Sequence, residues 1–155
     1  MNELQDRRTI QEIVLGARTV AIVGLSASEL RASHFVGYYL QRHGYLLIPV
    51  NPNEEHVLGE QVYPSLREVP EHIDVVVVFR APAAVPEIAR EAVEVGAGAL
   101  WLQFGVISPE GARIAKEGGL AVVMDRCLKV EHARLLGRMH WMGFDTGVIA
   151  GSRPR

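Results

Sequence analysis

Two periodicities alternate along the chain. Short runs with no polar face read as strands buried on both sides, and longer stretches with apolar positions every three to four residues read as amphipathic helices. Leu4–Leu15, with Leu4, Ile10, Ile13 and Val14 on one stripe, predicts a helix ended by Gly16. Thr19-Val20-Ala21-Ile22-Val23-Gly24 predicts the first strand. Small residues dominate Leu25 to Ala32. Ser33 is then placed to cap a helix that reaches His43, with Phe35, Val36, Tyr39 and Leu40 as its stripe and Gly44 beyond its end. Tyr45–Val50 is the second strand, stopped by the turn signal Asn51-Pro52-Asn53. A short edge strand is expected near Gln61-Val62-Tyr63, and a further strand at Asp74–Phe79. The spacing of Val85, Ile88, Ala89, Ala92 and Val93 predicts a helix over Ala83–Val95. Ala99–Gln103 is the next strand. Ser108-Pro109-Glu110 has cap and first-turn chemistry for a helix to Glu117. Leu120–Met124 is the last strand, and Lys129–Arg138 the last helix.

Strands and helices that alternate through short loops imply right-handed βαβ units. The predicted fold class is therefore α/β, a Rossmann-like three-layer sandwich with a mostly parallel sheet of strand order 3-2-1-4-5-6. A length of 155 residues suits one domain, 1–155, with its core at about 9–131. No linker, repeat or low-complexity segment divides it.

Composition narrows the function classes. The chain is 48% hydrophobic and 22% charged, ordinary for a soluble globular protein. A net charge of −2 and no basic stripe argue against nucleic acid. Met1–Arg8 is polar and lacks the apolar centre of a signal peptide, and no apolar run nears the ~20 residues that span a bilayer. A cytoplasmic protein without a membrane partner is expected. The single cysteine, Cys127, excludes an intramolecular disulfide and a cysteine zinc cluster. His34, His43, His56, His72, His132 and His140 include no His-x-x-x-His pair, so no metal site is assigned; only His132 and His140, eight apart, would share a helix face. With no Gly-x-Ser-x-Gly elbow and no carboxylate pair, no catalytic residue is assigned either.

In an open parallel sheet, ligands bind beyond the carboxyl ends of the strands, where strand order reverses. The loops on that edge are Gly24–Ser28, Asn51–Asn53, Arg80–Pro82, Gln103–Gly105 and Asp125–Cys127. The first suits phosphate. Gly24 lets a ligand approach the backbone, Ser26 and Ser28 add hydroxyls, and the next helix adds free N–H groups. Arg80 supplies charge across the crevice. The plainer alternative is that Gly24 makes a tight turn and the serines cap. A dinucleotide fingerprint would need Gly-x-Gly-x-x-Gly and an acid after the second strand. Here the loop reads Gly24-x-Ser26-x-Ser28, with Ser26 where the second glycine is wanted, and no acid follows Asn51 until Glu54. A Walker loop is absent too.

Several blocks together resemble the small bacterial CoA-binding family, itself similar to the N-terminal CoA-binding domain of the succinyl-CoA synthetase α subunit. They are Val23-Gly24-Leu25-Ser26 with Ser33, Gly44-Tyr45, Pro49-Val50-Asn51-Pro52, Val77-Val78-Phe79-Arg80, Trp101-Leu102-Gln103 with Gly105, and Met124-Asp125-Arg126-Cys127-Leu128-Lys129-Val130-Glu131. The resemblance covers about Thr9 to Glu131. It implies a coenzyme A or acyl-CoA ligand, with Gly24, Ser26 and Ser28 at the phosphates and Asn51 and Pro52 bordering the adenine. It further implies that Phe79, Arg80, Ala81 and Pro82 line the crevice, with Gln103 and Gly105 near the pantetheine arm. The synthetase's phospho-histidine lies in a second domain not found in this sequence, so ligase activity does not carry over.

Cys127 beside Arg126 admits a mixed disulfide with CoA, but a small buried hydrophobe is the favoured reading. Trp101 is read as core packing. Trp141 and Phe144 are candidates for covering a sheet edge or for a homodimer or protein-partner contact. The function expected is CoA binding without catalysis. Its rivals are an NAD(P)-dependent oxidoreductase and a partner-docking protein derived from a CoA ligase domain.

Overall fold

The computed structural model describes residues 7–141. In chain order these form α1 (Arg7–Gly16), β1 (Thr19–Val23), α2 (Ala32–Arg42), β2 (Leu46–Val50), β3 (His56–Val57), β4 (Glu60–Gln61), β5 (Val75–Val78), α3 (Val85–Glu94), β6 (Ala99–Leu102), α4 (Pro109–Glu117), β7 (Ala121–Met124) and α5 (Leu128–Trp141). The main sheet has the order β2-β1-β5-β6-β7, and every pairing in it is parallel.

Successive strand residues serve opposite cores, which is why none of these strands has a polar face. Ala21, Val23, Val76, Val78, Leu100 and Leu102 pack under α3 and α4. Val20, Ile22, Val75, Val77, Ala99 and Trp101 pack under α1, α2 and α5. Trp101 is fully buried, as expected of a packing residue, and its indole N–H donates to the Arg126 carbonyl at 2.7 Å. Helices α3 and α4 approach closely because small residues face each other. A Cβ on Gly111 would collide with Val85, and one on Gly118 with Val93.

The sheet has five strands, not the six expected. Leu58 and Gly59 both take positive φ and fold residues 56–61 back into the separate antiparallel pair β3–β4. Only Tyr63 reaches β2, through one parallel bridge to Val50. The chain then bends at Pro64 and Ser65 into a 3-10 turn at Leu66–Glu68, which ends that pairing. The order 3-2-1-4-5-6 is thus corrected to one that lacks its first member.

Helix α2 also departs from expectation. Its N-cap is Arg31, and Ser33 lies inside the first turn, where its hydroxyl accepts the Ser26 N–H at 3.0 Å. Val36, Gly37 and Leu40 face the core, leaving Phe35 61% exposed on the outer side. Ser108 does cap α4, its Oγ accepting the Gly111 N–H.

At the amino edge of the sheet, Asp74 joins β1 to β5. Its Oδ2 accepts the backbone N–H groups of Arg18 (2.8 Å) and Thr19 (3.1 Å). Partial burial pushes this carboxyl up, but those N–H donors, together with the Thr19 side chain and the nearby His72, hold Asp74 below the ordinary carboxylate value.

Candidate binding site

β1 has β2 on one side and β5 on the other, so the chain reverses direction across the sheet at β1–β5. The loops leaving these two strands must diverge there, and a crevice opens beyond their carboxyl ends. Gly24 sits at its base with φ +92°, and a Cβ there would lie 2.6 Å from the Phe79 carbonyl oxygen. The loops after β1 and β5 touch at this point, and only glycine allows it.

A cleft of about 560 Å³ lies above this contact, bounded by Gly24, Ser26, Ser33, Asn51, Phe79 and Arg80, with Arg31, Glu54 and Ala81 at its sides. The N-terminus of α2 opens into it, which adds the positive end of a helix dipole. The loop is internally braced. Ser26 Oγ accepts the Ser28 N–H at 3.0 Å, and Ser28 Oγ accepts the Leu30 N–H at 3.3 Å. Asn51 is braced as well. Its Nδ2 donates to the Leu25 carbonyl, and its Oδ1 accepts the Asn53 N–H. This turn carries Glu54 back over the loop, where its carboxylate accepts the Ala27 N–H at 3.3 Å.

A second cleft, of about 650 Å³, adjoins the first, and Ala32 and Phe79 line both. Its walls include Val36, Phe79, Phe104 and Val130, and its polar members include Gln103, Arg126, Glu131 and Arg134. Asp125 at its edge has φ +64°, a conformation an aspartate tolerates better than most residues. Its Oδ1 accepts the Gly105 N–H at 2.7 Å, which clamps the loop after β6 to the loop after β7.

The structure thus brings Gly24, Ser26, Asn51, Pro52, Phe79, Arg80 and Ala81 to the first cleft, and Gln103 to the second. Ser28, Pro82 and Gly105 line neither. Ser28 braces the loop, Pro82 opens the single 3-10 turn before α3, and Gly105 is held by Asp125. Cys127, expected to be a buried hydrophobe, is only half-buried and lines the second cleft. It packs in part against the core under α1, α2 and α5, and in part faces the cleft. Arg31, Glu54 and Arg126 were not assigned from sequence. Arg31 carries no signal in the sequence, Glu54 is visible only as the first acid after β2, and Arg126 stands in the ligand-edge loop Asp125–Cys127 without a ligand role assigned to it. The side chain of Trp141 and the whole of Phe144 lie outside the described residues.

Fold and site together define a Rossmann-like α/β domain with an anion-suited crevice at its switch point. Comparison with known proteins makes the assignment more specific. Residues 18–133 match the CoA binding domain family, and the chain belongs to it. The uncharacterized protein YneT of Bacillus subtilis is 41% identical over 124 residues, 80% of this chain and 92% of that protein. The solved structure of a hypothetical protein from Pyrococcus horikoshii superposes with TM-score 0.83 at 39% identity, covering 85% of this chain and 93% of that one. The ADP-forming acetate–CoA ligase II of Archaeoglobus fulgidus is 28% identical over 102 residues, 64% of this chain but only 15% of the ligase.

Proposed function

We propose that the chain binds coenzyme A or an acyl-CoA as a module without catalysis of its own. The nucleotide phosphates would occupy the first cleft, and the pantetheine arm would pass over Phe79 into the second. The observation that carries this reading is the junction of the two clefts at Ala32 and Phe79. A basic, hydroxyl-lined half continues there into a half with apolar walls, the sequence of surfaces that a nucleotide joined to a long neutral arm requires. Arg31 and Arg80 make no ion pair among the described residues, which leaves two cations for phosphate oxygens. Among the described residues no helix is long and apolar enough to cross a membrane, and a cytoplasmic location is part of the same proposal.

One observation favours a second reading. Glu54 reaches the first cleft, so an acid stands near the place where a dinucleotide site keeps one for its ribose. Titration calorimetry of the full chain separates the two. Heat with CoA and acetyl-CoA is expected, and Arg80→Ala should weaken that binding about tenfold, the loss of roughly one charge-assisted contact. Binding of NAD with no heat from either CoA would overturn the proposal.

A further inference from the structure

The second cleft contains hydrogen-bond donors that the fold leaves unused. Gln103 is 3% exposed, yet it lines this cleft. Its Oε1 accepts the Leu128 N–H at 3.0 Å. That bond fixes the amide orientation, because a backbone N–H needs an acceptor opposite it. The Nε2 group, with two protons to donate, makes no hydrogen bond among the described residues. Beside it, Arg126 has a buried Nε without a partner, and its guanidinium forms no ion pair among the described residues. An unpaired buried donor is costly, more so on a charged group, and with a second unspent donor, Gln103 Nε2, opening onto the same cavity it points to an acceptor supplied from outside.

The acidic groups at this cleft are already engaged. Asp125 accepts the Gly105 N–H, and Glu131 pairs with Arg134 at 3.1 Å. What remains open is a pair of donors among Val36, Phe79, Phe104 and Val130, the last two exposed by 78% and 40%. A free thiol suits such a place poorly, being a weak acceptor with little surface to bury. A thioester offers a carbonyl oxygen and a hydrocarbon tail.

We propose that the second cleft holds the acyl-thioester end of the ligand, so that the chain selects short-chain acyl-CoA over free CoA. The carbonyl oxygen accepts from Gln103 Nε2 and the Arg126 guanidinium, and the tail covers the exposed faces of Phe104 and Val130. This proposal rests on the CoA-binding reading above.

Calorimetry with the full chain tests it, using CoA and butyryl-CoA as paired probes. Butyryl-CoA is expected to bind at least about tenfold more tightly, from the burial of its methylene groups and the added hydrogen bonds. Gln103→Glu keeps an oxygen for the Leu128 N–H but removes both amide donors. Arg126→Met keeps the backbone carbonyl that Trp101 uses. In each variant the ratio of the two dissociation constants should fall towards one. Wild-type protein that binds both probes equally would overturn the acyl selectivity while leaving the CoA reading intact. A ratio unchanged in both variants would overturn the roles given to Gln103 and Arg126. Binding of neither probe would overturn both proposals together.

Discussion

Gly24 does two jobs that one substitution would disturb together. Its positive φ turns the chain out of β1, and its missing Cβ admits the Phe79 carbonyl. Gly24→Ala is expected to cost about 2 kcal/mol in urea unfolding, from left-handed strain plus a contact too short to relax against backbone. The same change should weaken CoA binding at least about tenfold, because the loop after β1 must shift away from Arg80. Loss of affinity with unchanged stability would mean that the two loops are not packed as described. Other residues at this edge also brace the scaffold. Asn51 spends its amide on Leu25 and Asn53, and Ser28 spends its hydroxyl on Leu30. The same chemistry that binds phosphate also braces loops. Sequence alone does not separate the two uses.

At the scale of elements, the strands and the helices α3 and α4 were legible because their periodicity has one physical cause. Each buries its apolar positions against a neighbour at fixed spacing. The edge strand was not legible. Gln61-Val62-Tyr63 carries β-forming residues, but Leu58-Gly59 on one side and the bend at Pro64 and Ser65 on the other limit its pairing to a single bridge. The Asp74 clamp between β1 and β5 was equally hidden, since this carboxylate lies 56 residues from its first partner. Asp74 titrates lower in the folded chain than its ordinary value of 3.8, so its stabilising contribution is complete above that value. It disappears as pH falls through the lower, folded value. Asp74→Asn should therefore destabilise by about 1 kcal/mol at neutral pH, the worth of a partly exposed charge-assisted hydrogen bond. Chemical denaturation from neutral to acid pH checks this, with the two proteins expected to converge as pH falls below the folded Asp74 value.

For the molecule as a whole, ligand binding and stability should be linked. A ligand that occupies both clefts ties the loops after β1, β5, β6 and β7 together, and it binds only the folded chain. At a concentration 100 times its dissociation constant, CoA should add about 2.7 kcal/mol. For a domain of this size that corresponds to a rise in Tm of roughly 5–10 °C, measurable by differential scanning fluorimetry. An unchanged Tm at that saturation would contradict binding to the native fold.

The sequence by itself determined the α/β class, the parallel sheet and the edge on which the loops around the crevice gather. These follow from local periodicity and from the handedness of βαβ connections, which act over a few tens of residues. Its ordered blocks also carried the family. Only the tertiary structure decided which loop residues face the crevice and which hold the loops in place. It alone brought Glu54 back over Ala27, Arg31 to the rim, and Gln103 and Arg126 to one cavity with unspent donors. The reason is that a polar side chain has no fixed destination of its own. Whether it meets a backbone group or open space depends on segments far away in the chain, and only the packed sheet and helices bring those segments together.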